Sequence, residues 1–153
     1  MNTLVVYDSN YGNTKKIAEA IARECGEGSK AVLVSDFSIK ELEGMEVLVV
    51  GSPINGWRPT SKIGEFLAYL DQGQLKRMKA AAFDTRIKVW YSGDAAKKIK
   101  KLLEKAGAKI MIKPEPFYVK DKEGPLVDGE IEHAQAWAHH LKKVYENKRR
   151  VAC

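Results

Sequence analysis

The segment Asp8-Ser9-Asn10-Tyr11-Gly12-Asn13-Thr14 is rich in hydrogen-bond donors and holds no cation. Ser9, Tyr11 and Thr14 carry hydroxyls, Asn10 and Asn13 carry amides, and Gly12 lets the backbone come close to a ligand. A helical pattern follows directly, with Ile17, Ala18, Ile21, Ala22 and Cys25 on one face. The first turn of a helix presents N–H groups without helical partners and a partial positive charge. A loop of this kind suits a phosphate dianion held by dipoles alone. It matches neither GxxxxGK[ST] nor GxGxxG, so it is a different phosphate grip from either of those.

Two further segments carry aromatic and polar groups at the ends of apolar runs. The first is Gly51-Ser52-Pro53-Ile54-Asn55-Gly56-Trp57-Arg58-Pro59. Its Asn55-Gly56 pair tolerates positive φ, and Gly56, Arg58 and Pro59 place Trp57 in a loop. The second runs from Asp84, Thr85 and Arg86 through Lys88 to Trp90, Tyr91 and Gly93. Trp90 and Tyr91 either face a ligand or staple the helix that follows. Asp8 and Asp84 end strands and are read as caps for their loops.

Other chemistries find no support. His133, His139 and His140 share the last helix, and none is four residues from another, so paired metal ligation on one face is not expected. Cys25 and Cys153 form no CxxC and no zinc spacing, and neither a disulfide framework nor a metal is expected. No nucleophile elbow or kinase signature is present, and no catalytic residue is assigned.

The elements that must position these loops alternate. Strand-like runs cover residues 4–7, 31–34, 47–50, 80–83 and 108–112, and helical patterns cover 14–25, 61–70, 94–106 and 130–145. Thr60 or Ser61 can cap the second helix, and Gly107 stops the third. Residues 114–127 read as irregular, with 117–119 a candidate for extended chain. Alternation of this kind implies an α/β fold with a parallel sheet covered by helices on both faces. The ligand then belongs at the carboxyl ends of the strands, where the strand order reverses.

The chain has 153 residues, enough for one domain, here placed at 1–147 with a basic tail at 148–153. No apolar run approaches the ~20 residues of a membrane span. The start lacks a signal-type pattern, and the expected compartment is the cytoplasm. Net charge is +6, with much of the excess in residues 97–105 and 142–150. Nucleic acid is a conventional partner for such charge, but Ile99, Leu102, Leu103 and Ala106 put an apolar stripe opposite the first lysine group. The lysines are therefore read as a solvated helix face, with no nucleic-acid partner.

The loop at residues 8–14 resembles the phosphate loop of the flavodoxins. The family's constrained positions are held by Val5, Val6, Tyr7, Ser9, Gly12, Thr14, Ala18 and Ile21. Residues 51–59 resemble that family's flavin-ring loop, with Ile54 where Thr is common and Asn55 where a stacking aromatic is usual. Ala136, Trp137, Ala138 and His139 follow the family pattern in the last helix. The resemblance implies a three-layer sandwich with a five-stranded parallel sheet in the order 2-1-3-4-5. It implies flavin mononucleotide (FMN) as cofactor, with the phosphate at Ser9, Asn10, Tyr11, Gly12, Asn13 and Thr14. The ring would lie against Pro53, Ile54, Asn55, Gly56, Trp57, Thr85, Arg86, Trp90 and Tyr91. Either Trp57 or Trp90, or both, would stack on it, and Arg86 would reach the pyrimidine oxygens or point to solvent. In that family a peptide of the ring loop turns over on reduction, so that its carbonyl accepts from flavin N5–H. The Asn55–Gly56 and Gly56–Trp57 peptides are the two candidates.

The function implied is one-electron transfer between redox partner proteins, a reductase donor and an acceptor. Typical flavodoxins are acidic, whereas this chain has a sequence pI of about 9.2. Acidic partners are therefore expected. The alternatives are an FMN oxidoreductase of the quinone reductase or protoporphyrinogen oxidase type, and a non-redox binding module that kept only the fold.

Overall fold

The computed structural model describes residues 1–70, 73–89 and 91–152. Its elements, in chain order, are β1 (Thr3–Tyr7), α1 (Asn13–Cys25), β2 (Lys30–Leu33), β3 (Val47–Pro53), α2 (Ser61–Tyr69), β4 (Lys79–Ile87), α3 (Ala95–Lys105), β5 (Lys109–Ile110), β6 (Glu115–Val119) and α4 (Glu130–Ala152). Two 3₁₀ turns, Val34–Asp36 and Ile39–Leu42, lead from β2 towards β3.

The sheet is parallel, in the order β2-β1-β3-β4-β5, with β6 also paired to β4. Each strand of the centre serves two cores. In β1, Val5 and Tyr7 join the cluster under α1 and α4, while Leu4 and Val6 join the one under α2 and α3. Burial on both faces is why this run is continuously apolar rather than alternating. The helices are amphipathic for the same reason: Ile17, Ile21 and Cys25 of α1 face the sheet on one side, and Ile63 and Leu67 of α2 do so on the other.

The expected strand order and three layers are present. Two elements are longer than the sequence reading gave them. β4 runs on through Asp84, Thr85 and Arg86 to Ile87, because β6 pairs with its second half from Phe83↔Glu115 to Ile87↔Val119. The segment left irregular in the sequence is thus a sixth strand, followed by a turn closed by Lys120 N–H to Pro125 at 2.8 Å. β5 and β6 share the edge beside β4, the first along its start and the second along its end. Helix α4 continues through Lys148, Arg149 and Arg150, so these residues form the exposed end of a helix. Among the described residues no helix is long and apolar enough to cross a membrane.

Candidate functional site

Four loops meet at the carboxyl ends of the strands and line a cavity of about 360 Å³. That size falls within the ~300–1,000 Å³ usual for small-molecule sites. Its walls come from Ser9, Asn10, Tyr11, Asn13 and Thr14, from Pro53, Ile54, Asn55, Gly56 and Trp57, from Thr85, Arg86, Ile87, Val89, Tyr91 and Ser92, and from Val119 and Lys122. Two of these side chains are cations and none is a carboxylate. A larger groove of about 880 Å³ lies along the β5 edge, away from these loops.

The first wall is the start of α1. Gly12 takes a left-handed φ of 90° at the N-cap and supplies no side-chain cap. Its own N–H is held by Ser9 Oγ at 2.9 Å, and Ser9 N–H by Asp8 at 2.9 Å, so the loop is folded by its own short polar groups. Asp8 is buried and also accepts from Thr60 Oγ1 at 2.6 Å, which fixes this loop to the start of α2. No acidic residue occupies the first turn of α1. The N–H groups of Asn13, Thr14 and Lys15 take no partner among the described residues. Such uncapped donors at a helix start are the chemistry that a phosphate needs.

The side chains at this end divide their roles. Thr14 is buried, and its hydroxyl lies 2.8 Å from that of Thr85 at the end of β4. Asn13 spends its amide on the carbonyl of Glu123 at 3.1 Å, anchoring the turn after β6, which leaves its main-chain N–H for a ligand. Asn10 and Tyr11 are exposed at the rim.

The second wall is a two-residue hairpin. Asn55 N–H donates to Arg58 at 2.7 Å, and Arg58 N–H donates back to Asn55 at 3.3 Å. Gly56 and Trp57 form the turn with φ of 57° and 64°. Positive φ at both positions is the sense that matches strand twist. It suits glycine but costs a bulky residue about 1–2 kcal/mol. Three contacts hold Trp57 there. Its Nε1–H donates to the Tyr91 carbonyl, its own carbonyl accepts from Lys98 Nζ at 2.9 Å, and Gly93 leaves room that a Cβ would fill at 2.7 Å from Trp57 Cα. Trp57 remains 60% exposed, so the indole is a wall of the cavity and not a core residue. Trp90, the other stacking candidate, lies outside the described residues.

The third wall is the end of β4. Arg86, read in the sequence as part of a loop, is the penultimate residue of that strand. Its guanidinium grips Asp84 at 2.9 and 2.6 Å and reaches Asp94 at 3.1 Å. Asp84 is fully buried and also accepts from Ala96 N–H at 2.9 Å, binding the start of α3 to the sheet. Burial pushes the Asp84 carboxyl above its ordinary range, against the opposing pull of Arg86. Arg86 therefore neither points freely to solvent nor acts as an independent cation; its charge is matched within the wall.

Val119 and Lys122 complete the cavity and were missed in the sequence. Beside them sits a second unforeseen cluster. His133 lies 2.9 Å from Glu115 and 3.2 Å from Glu130, and Glu130 accepts from Tyr118 N–H at 2.7 Å. Burial lowers the His133 pKa, but the Glu115 hydrogen bond and the charge of Glu130 outweigh it and the net shift is upward. Among the described residues, no group of three His, Cys, Asp or Glu is placed to hold a metal.

Comparison with known proteins agrees with this geometry. The flavodoxin family model matches residues 5–139. An uncharacterised protein of Methanocaldococcus jannaschii is 30% identical over 97% of this chain and 35% of its own length. The coenzyme F420H2 oxidase of Methanothermobacter marburgensis is 29% identical over 75% of this chain and 30% of its own length. The chain thus spans about a third of these curated relatives. Among solved structures, a flavodoxin from the domain Archaea superposes with a TM-score of 0.79 at 22% identity, covering 95% of this chain and 99% of that one.

Proposed function

Because this chain belongs to the flavodoxin family, we propose that it binds FMN and acts as an electron carrier between redox proteins. The observation that carries the reading is the uncapped start of α1 opening into a cavity with no carboxylate in its walls. FMN, when bound, supplies the electron-accepting ring and passes electrons one at a time.

The residues present fit that group. The N–H groups of Asn13, Thr14 and Lys15, with the Thr14 hydroxyl and Asn10 amide, would hold the phosphate. Pro53, Ile54, Trp57 and Tyr91 would flank the ring and keep water from it. Arg86, already neutralised by Asp84, would shape the site without adding net charge. The hairpin separates the two candidate peptides. The Asn55 carbonyl is engaged by Arg58 N–H, whereas the Gly56 carbonyl and Trp57 N–H have no partner among the described residues. The Gly56–Trp57 peptide is therefore the one free to turn over. Among the described residues the cavity walls hold no carboxylate and no histidine.

The test is to reduce the FMN-loaded chain and mix it with a one-electron acceptor. A carrier gives a stoichiometric oxidation in two successive steps and then stops. A second reading has its own support: the curated relatives at 30% and 29% identity are about three times the length of this chain. In that reading the chain serves as the flavin module of an oxidase. Stoichiometric reduction of the chain's FMN by reduced F420 would shift the assignment to it.

A further inference from the structure

The lysines of α3 are expected to form a solvated face, and the fold brings one of them, Lys98, to the hairpin at the rim of the cavity. Lys98 reaches across to the Trp57 carbonyl, and Arg58 closes the hairpin that carries Trp57. Lys97 and Lys101 are exposed on the same helix. Among the described residues none of Arg58, Lys97, Lys98 and Lys101 is paired with a carboxylate. Asp94, the cap at the start of the same helix, is taken up by Arg86 and by Lys97 N–H. Two large aromatics stand in the same rim, Trp57 at 60% and Tyr91 at 59% exposure.

Exposed aromatics edged by unpaired charge are the make-up of a protein docking site, with the rings at the centre and the charges setting approach and orientation. A nucleic acid would call for cations tracking a phosphate backbone. Here Lys98 and Arg58 meet at the hairpin that carries Trp57, and Lys97 and Lys101 extend the charge along one helix.

We propose that the face made by residues 55–58 and the exposed side of α3 docks a redox protein whose own surface is acidic. The proposal rests on the carrier reading, since the partner must approach the edge through which electrons leave. Charge complementarity would steer encounter and would fade as salt screens it.

The experiment uses the full FMN-loaded chain, labelled with nitrogen-15, and an acidic plant-type [2Fe–2S] ferredoxin as probe. Amide shifts are followed from ~0.01 M to ~1 M ionic strength, over which the screening length falls from about 30 Å to about 3 Å. The proposal expects shifts at Arg58, Trp57 and the α3 lysines at low salt and none at high salt. The double substitution Lys97→Glu with Lys101→Glu should slow association about tenfold or more. That variant is compatible with the fold, because a carboxylate at residue 97 stands in the first turn of α3 behind the Asp94 cap. Salt-independent binding, shifts on another face, or an unaltered double variant would overturn the proposal. So would preferential binding of duplex DNA to the same lysines. The two readings fail separately: the shifts are repeated without FMN, and FMN uptake is measured on its own by fluorescence.

Discussion

The hydroxyls of Thr14 and Thr85 lie 2.8 Å apart in the buried floor of the cavity, joining residues 71 positions apart in the chain. One must donate to the other. Only if Thr85 donates does Thr14 keep its proton for a phosphate. Thr85→Val preserves the branched shape and removes the partner, leaving the Thr14 hydroxyl unsatisfied. Urea unfolding should show a loss of about 1–3 kcal/mol. FMN affinity should fall in parallel, because the Thr14 hydroxyl is no longer oriented.

Asn10 is exposed at the rim of the same loop. Asn10→Asp places a carboxylate among donors that await an anion. The added charge complements the helix start, so thermal stability without ligand should hold or rise. FMN binding should weaken about tenfold or more, by repulsion from the phosphate. Riboflavin, which has no phosphate, should bind as before. Opposite signs for fold and ligand are the check.

The polar loop and the hairpin were legible because their chemistry is local. Asp8, Ser9 and Gly12 fold residues 8–12 through near neighbours, and Asn55-Gly56 announces a tight turn. The end of β4 was not legible, since its pairing partner lies some thirty residues on and contains Pro116. A proline in a strand is tolerated where its missing N–H falls on an edge, as it does in β6. Lys122 and Val119 were hidden for the same reason. The α3 lysines were correctly read as exposed, but only the fold could place Lys98 against Trp57.

The Asp84–Arg86 pair is a second test of the wall. Arg86→Ala leaves a fully buried carboxylate without its cation, a change that typically costs about 3–5 kcal/mol. Asp84→Ala with Arg86→Ala should recover much of that loss. A double-mutant cycle in urea measures the coupling.

His133 makes stability depend on pH. Its pKa is raised in the folded chain by Glu115 and Glu130 against the opposing effect of burial. The folded state therefore holds the proton more tightly than the unfolded one. The stabilisation is fully present below the ordinary histidine range and is lost as pH rises through the raised value. His133→Gln should cost about 1 kcal/mol or less at pH ~5, given partial exposure, and close to nothing at pH ~9. Unfolding curves at the two pH values decide it.

The most direct measurement is a paired titration of the flavin-free chain with FMN and with riboflavin, followed by flavin fluorescence. Two charge-assisted hydrogen bonds at ~1.5 kcal/mol each would make FMN about 100-fold tighter than riboflavin. The account predicts one FMN per chain and a preference of that order. Equal affinity for the two, or no quenching by either, would contradict it.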